Sequence, residues 1–367
     1  MSNTRALCIF SSVLGNAAVT RSLIRALDRV PELDPTYVIL NADDYLSYPA
    51  PWWARLTNPW HSEFIARRKT ELVRKQPFDV LLVYTWENAV AFRDMANRMP
   101  AAAMMDCVPA TMDRQLRLRG RNNWKRRVSH WVHHRAFRSA AAEFDQFLPK
   151  TSDCLKSLVE DYGVEPSRCA VTLAPQDLDW WNPRPRSFTA PWRILFAGND
   201  FERKGGDFLL RLYSDYLAKA CELTILSNDP DLASRQLPEG VRWVKGATRE
   251  QLREAFWDSH LFLLPTRQDF APQVVAEAAA AGLPSLATGV DGIPDLIRDG
   301  ETGFILPREA SAEQWAEKVH GLLVDPEALQ TMSSQARRFA EEHLSLERFD
   351  RLVSDVIARL RAAMEAG

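Results

Sequence analysis

At 367 residues the chain is too long for one ordinary core, so two domains are expected. Its 46% hydrophobic and 26% charged residues are those of a soluble globular protein, not a disordered one. A net charge of −2 argues against a general nucleic-acid binder. Five scattered cysteines with no CxxC argue against a zinc site or a disulfide framework and fit a reducing cytoplasm.

The N-terminal RALCIFSSVLGNAAV is too short and too broken by Ser11, Ser12, Gly15 and Asn16 for a signal peptide. It reads as a buried first strand followed by a turn. Nowhere does an apolar run approach the ~20 residues of a membrane span. Further strands are expected at 37–40, 80–84, 101–105 and 144–148, with helices at 17–30, 63–74, 89–98, 124–142 and 152–162. This alternation predicts parallel strands with crossover helices. WWNPRPRSFTAPW (180–192) holds three prolines and reads as an interdomain linker. The alternation then restarts, with strands at 193–197, 222–227, 241–245, 261–265 and 284–288. Helices are expected near 206–220, 248–258 and 272–281. The expected class is α/β, with two doubly wound Rossmann-like domains facing a central cleft. Their bounds are 1–185 and 186–345, and a last amphipathic helix over 346–367 is a candidate to pack back on the first domain.

Two stretches of the second half carry chemistry. GNDFERKGG (198–206) follows an apolar strand. Gly198 lets backbone N–H groups approach an anion, Arg203 and Lys204 add positive charge, and the next helix offers its positive end. Such a loop suits a diphosphate leaving group; it also reads as an ordinary polar turn. DFAPQVVAEAAAAG (269–282) sets Asp269 in a loop and Glu277 more than one turn inside a helix, with seven residues between them. Pro272 suits the first turn and Gly282 the stop. The two carboxylates then lie at different depths along one ligand, where they can bind sugar and ribose hydroxyls. Taken singly, they also read as a capping Asp and a solvated helix Glu. Glu277 interrupts an Ala-rich helix that looks buried, which calls for a partner. In GVDGIPDLIRDGETG (289–303), Gly289 and Gly292 frame a further candidate anion cradle, while Gly300 and Gly303 read as turn glycines. Together these stretches point to a nucleotide-sugar site.

With E-x7-E-like spacing, RILFAGNDFERKGGDFLL, RWVKGATREQLREAFWDSHLFLLPT and GIPDLIRDGETGFILP, the C-terminal half resembles the retaining GT-B glycosyltransferases of the family-four type. MMDCVPATMDRQL resembles the Asp-x-x-Pro segment of one branch, and the stretch 147–183 is similar to the family's approach to the interdomain junction. The resemblance covers most of residues 100–310. It implies that Arg203 and Lys204 bind the donor diphosphate, and that Glu277 binds the ribose. Asp269, with Phe270 and Ala271, would meet the donor sugar. Asp269 is one methylene shorter than the family's first Glu, DFAP replaces a Gly-bearing loop, and Asn199 stands where many relatives have Arg. Gly15 and Asn16, in the turn after the first strand, would face donor phosphate or acceptor; they read equally as a plain turn with an Asn cap. Asp106 lies near the family's active-site His and also reads as a turn-former before Pro109. Glu87, after VYTW, is a further candidate.

The resemblance implies retention of configuration, no metal and no cofactor beyond the co-substrate, a UDP- or GDP-linked sugar. The acceptor would be a glycan, a lipid-linked saccharide or a small molecule. Two other readings are a non-catalytic GT-B partner subunit and a sugar-nucleotide epimerase. Residues 114–138 hold nine Arg or Lys, three His, two Trp and no acid, and 45–61 add three Trp and two Tyr. This pattern suits peripheral contact with the anionic inner face of a membrane. It equally suits an outer helix whose Trp124 and Trp131 pack into the core. No nucleic-acid reader motif accompanies the charge.

Overall fold

A computed structural model describes residues 3–12, 16–41, 43–44, 58–118 and 124–366. Its contacts divide the chain into two compact units, one of residues 1–175 with 346–367 and one of 176–345. The boundary falls at Pro175, not at 185.

The first unit carries strands β1 (Thr4–Ser11), β2 (Leu33–Leu40), β3 (Val80–Tyr84), β4 (Ala101–Met105) and β5 (Gln146–Pro149). Its helices are α1 (Asn16–Leu27), α2 (Asn58–Lys69), α3 (Trp86–Ala91), α4 (Arg93–Ala96), α5 (Pro109–Leu118), α6 (Trp124–Ala141) and α7 (Ser152–Tyr162). The second unit carries β6 (Trp192–Ala197), β7 (Cys221–Leu226), β8 (Val241–Val244), β9 (Leu261–Leu264), β10 (Ser285–Thr288) and β11 (Gly303–Leu306). With them come α8 (Gly206–Leu212), α9 (Arg249–Asp258), α10 (Gln273–Ala280), α11 (Ala312–Leu323) and α12 (Pro326–His343). The chain then returns to the first unit as α13 (Leu346–Ala366).

Both sheets are parallel and doubly wound, in the orders β2-β1-β3-β4-β5 and β11-β10-β9-β6-β7-β8. Side chains alternate across a strand. Leu7 and Ile9 therefore join one core with Phe92, Phe137 and Phe147, and Ala6, Cys8 and Phe10 join the other. The second core is completed by Phe349, Val353, Val356, Ile357 and Leu360 of α13. In α10, Val275, Ala276 and Ala278 to Ala280 are buried. Leu283 N–H reaches back to Ala278 O (2.8 Å) and Gly282 takes φ +64°, so the helix stops where its glycine permits a left-handed turn.

Several expected elements differ. The helix expected over 89–98 is two short ones, α3 and α4, joined at Phe92 (φ −113°). The one expected over 206–220 is α8 followed by a π-helical turn, Tyr213–Leu217, beside which the Tyr213 hydroxyl donates to Cys221 O (2.9 Å). The stretch read as a linker is packed into the second unit. Trp181 is buried with its ring edge-on to Phe256, and the Arg186 guanidinium donates to Phe256 O, Trp257 O, Gly282 O and Ser333 Oγ. Gly303 is a strand residue, not a turn: a Cβ there would lie 2.0 Å from Ser285 O of the neighbouring strand.

In a doubly wound sheet, ligands bind beyond the strand C-termini where the strand order reverses. That point lies between β1 and β3 in the first unit and between β6 and β9 in the second.

Candidate functional site

The reversal point of the second unit is flanked by the loops after β6 and β9. The first of these, 198–206, is shaped by its glycines. Gly205 (φ +80°) lies so close to the end of β9 that a Cβ would sit 1.9 Å from Pro265 O. At Gly198 a Cβ would lie 3.3 Å from Lys204 Cγ and 3.6 Å from its Cε, so the lysine stem runs over the glycine. Asp200 takes the left-handed φ of +59°, and its carboxylate accepts from Arg203 Nε (2.6 Å). Its carbonyl accepts from Lys204 N (3.0 Å).

The two loops interlock. Arg203 O accepts from Arg267 N (3.0 Å), and Arg203 Nη1 donates to Gln268 O (2.8 Å). Lys204 Nζ makes a charge-assisted hydrogen bond to Asp269 Oδ2, with the two side chains only 12% and 13% exposed. The loop after β10 joins them: Asp291, at φ +49°, accepts from Asp269 N through Oδ2 (2.8 Å). Asp291, between the Gly289 and Gly292 of the expected cradle, thus braces the β9 loop. Asn199 Oδ1 accepts from Asn228 N (2.9 Å) after β7, and Asn228 Oδ1 from Gly246 N (2.7 Å) after β8.

Phe270 and Ala271 lead, half-buried, into α10, where Glu277 is half-buried rather than fully buried. Gln273, the first residue of α10, accepts from Gln176 Nε2 (3.2 Å), while its own Nε2 is a buried donor with no hydrogen-bond partner. The structure therefore gathers Gly198, Arg203, Lys204, Asp269, Phe270 and Ala271 beyond the C-terminal ends of the central strands β6 and β9, with Glu277 on the helix that follows.

The first unit has its own polar group at the reversal point of its sheet. Asn16 opens α1 and its Oδ1 accepts from the Tyr84 hydroxyl (3.2 Å); Gly15 lies outside the described residues. Thr85, the residue after β3, sits at φ +93°, an outlier for a β-branched residue. Its hydroxyl accepts from Asn88 N (3.4 Å) at the start of α3. Glu87 in the first turn of that helix has its carboxyl pushed up to about 7, mainly by burial and in small part by Asp106, against the hydrogen bond from Thr85. Asp106 is half-buried at the end of β4. Burial, then Asp106 and Glu87, push the neighbouring Cys107 thiol well up. The Tyr84 hydroxyl is pushed up by burial, then by Asp106, Cys107 and Glu87. Tyr84 at the end of β3, Cys107 two residues past β4 and the buried Lys150 just past β5 did not stand out in the sequence, because each closely follows or ends an apolar strand run that masks it.

Helix α6 carries most of the basic stripe. Its inner side is held by Asp113, which bridges His130 Nδ1 (3.0 Å) and His134 Nε2 (2.8 Å), and by Phe137 against Trp86. Trp131 does not pack into the core: it is 63% exposed beside exposed Val128, with the Arg135 guanidinium 5.7 Å from its ring. The Trp124 side chain and residues 45–57 lie outside the described residues. Among the described residues, no helix is long and apolar enough to cross a membrane.

Residues 191–325 match the family described as Glycosyl transferases group 1. The D-inositol 3-phosphate glycosyltransferase of Rhodococcus erythropolis is 27% identical over 224 residues, 54% of this chain and 50% of that protein. That of Streptomyces scabiei is 29% identical over 189 residues, 44% and 42% of the two chains. The chain thus spans about half the length of these relatives. Among solved structures, sucrose-phosphate synthase from Thermosynechococcus elongatus superposes with a TM-score of 0.79 at 13% identity, covering 98% of this chain and all of that one. WaaG, a glycosyltransferase involved in lipopolysaccharide biosynthesis, gives 0.70 at 19% identity over 96% and 99%. Anabaena Alr3699/HepE in complex with UDP-glucose gives 0.71 at 12% identity over 96% and 99%. The match to glycosyl transferases group 1 thus falls within the second unit, and the chain has the two-domain GT-B fold of these solved structures.

Proposed function

We propose that the chain is a glycosyltransferase that moves a sugar from a nucleoside-diphosphate sugar to an acceptor hydroxyl. The observation that carries this is the interlock of the β6 and β9 loops at the reversal point of the second sheet. It sets two cations, Arg203 and Lys204, against a carboxylate, Asp269, on braced backbone. In this reading the cations take the departing diphosphate, Asp269 the sugar hydroxyls and Glu277 the ribose. The buried donor Gln273 Nε2 is suited to a ligand oxygen.

The chemistry needs no protein nucleophile. The bond from the sugar's anomeric carbon to the diphosphate breaks, and the acceptor oxygen bonds to that carbon on the same face. The acceptor's proton passes to the leaving phosphate oxygen; because attack comes on the face that the diphosphate leaves, configuration is retained, and the two cations serve in place of a metal. The first unit, through Asn16, Glu87 and Asp106, takes the acceptor: a glycan, a lipid-linked saccharide or a small molecule. The exposed Val128–Trp131–Arg135 face of α6 suits an anionic membrane surface, where a lipid-linked acceptor would be met.

A relative of this fold was solved with UDP-glucose, which makes that compound the first donor to test. A ligand that binds the native state raises the melting temperature. One nucleotide among UDP, GDP, ADP and dTDP should raise it, and the gain should vanish in Arg203→Ala and Glu277→Ala. Anomeric proton couplings of the product should show retention. No shift with any nucleotide or sugar conjugate would sink the proposal.

A further inference from the structure

One of the two cations assigned above to the diphosphate is already engaged by the carboxylate assigned to the sugar. Lys204 gives its ammonium to Asp269, and both side chains are nearly nine-tenths buried. Neither backbone is free to shift. Lys204 N is bonded to Asp200 O, and Asp269 N is held by Asp291; the residue before Asp269 is held through its carbonyl by Arg203. The lysine stem is the mobile part. It has four carbons and rotatable donors, and it lies over Gly198, where no side chain obstructs it. An ammonium in this position can change partners without any movement of the loops.

We infer that the Asp269 carboxylate is an internal stand-in for the donor's diphosphate, holding Lys204 until the donor arrives. This rests on the reading of the loops as a donor site. A nucleoside-diphosphate sugar then makes an exchange. Its phosphates take Lys204, and the released carboxylate accepts hydrogen bonds from the sugar hydroxyls. A nucleoside diphosphate without a sugar offers only half of that exchange, because it leaves the desolvated Asp269 carboxylate without a partner. The site thereby prefers the sugar conjugate to the bare diphosphate. Once the sugar has been transferred, Asp269 reclaims Lys204 and the diphosphate is expelled. The preference resides in a residue pair of the second unit and needs no other element.

The test is a double-mutant cycle on binding, with UDP, GDP, ADP, dTDP and their glucose conjugates titrated calorimetrically into the full chain. Asp269→Asn should tighten binding of the bare diphosphate by roughly ten- to a hundredfold, the worth of one charge-assisted hydrogen bond returned to the ligand. The glucose conjugate should gain less, so the preference for it shrinks. In the Lys204→Gln background, Asp269→Asn should bring little gain. Asp269→Ser removes the same charge should the amide fail to fold, as judged by circular dichroism. An equal gain in both backgrounds would mean simple repulsion between carboxylate and phosphate and would overturn the inference, as would no gain at all. Both of those outcomes leave the donor site standing. If no diphosphate or conjugate binds the wild-type chain or any variant, the donor-site reading itself fails and takes the inference with it.

Discussion

Replacing Glu87 by Gln keeps the shape and an acceptor oxygen but removes the charge that burial disfavours. In the unfolded chain the carboxyl titrates near its ordinary 4.5; in the folded chain burial lifts it to about 7. Between those values the folded state binds more protons than the unfolded one. Stability is therefore greatest below pH 4.5, declines as pH rises through this window, and levels off above 7. At roughly 1.4 kcal/mol per pH unit, the rise corresponds to a ceiling of about 3 kcal/mol. Water reaches the half-buried carboxyl, so a change of about 1–3 kcal/mol is expected. Glu87→Gln should thus gain stability over the wild type by this amount between about pH 4.5 and about pH 8. Because the two units need not unfold together, the assay should report on the first alone. Hydrogen exchange of the β3 amides, corrected for intrinsic rate, does so. A wild-type-minus-variant difference that stays flat across the window would refute the reasoning, and so would a variant that loses ground as pH rises.

Gly205→Ala places a Cβ 1.9 Å from Pro265 O at a left-handed φ of +80°, and should cost about 2–5 kcal/mol and weaken nucleotide binding. Gly163→Ala has a similar positive φ of +71° but meets nothing within 4 Å, so in urea unfolding of both variants its cost should stay at about 1 kcal/mol. Arg186→Ala removes the guanidinium from the Phe256 and Trp257 carbonyls, leaves Gly282 O with Ser333 Oγ alone, and should cost about 2–3 kcal/mol by chemical unfolding; Arg186→Lys should recover only part, lacking the planar fork. Trp131→Ala should leave the melting point almost unchanged, within about 0.5 kcal/mol, yet reduce co-sedimentation with vesicles containing anionic lipid. Unchanged sedimentation would remove the membrane contact from the proposal.

The two sheets were legible because parallel strands covered on both faces are continuous apolar runs, as Val80–Tyr84 and Leu261–Leu264 are. β11 escaped because it is four residues long, begins with a glycine and follows a turn. The helices α11 and α12 carried signals that went unread: the Ser311–Gln314 capping box, and Asp325 followed by Pro326. The break at Phe92 has no proline or glycine to announce it. Proline content misled at 180–192, because what matters there is Trp181 and Arg186, whose burial is a tertiary fact. In the second unit Arg203, Lys204 and Asp269 were legible as charges beside glycines. Their bond to one another was not, since it depends on β6 and β9 being neighbours. Asp291 was hidden between two glycines, and its left-handed backbone, like that of Thr85, leaves no trace in composition.

The return of α13 to the first unit has a consequence for biosynthesis. Strands β1 to β5 leave the ribosome early, yet the sheet face that receives Phe349, Val353, Val356, Ile357 and Leu360 stays open while residues 176–345 are made. At bacterial or eukaryotic elongation rates that interval is about ten to thirty seconds. The contiguous second unit can close during it, so the half made first is finished last. For that interval a nascent chain shows an uncovered apolar sheet, the surface that a holdase chaperone recognises.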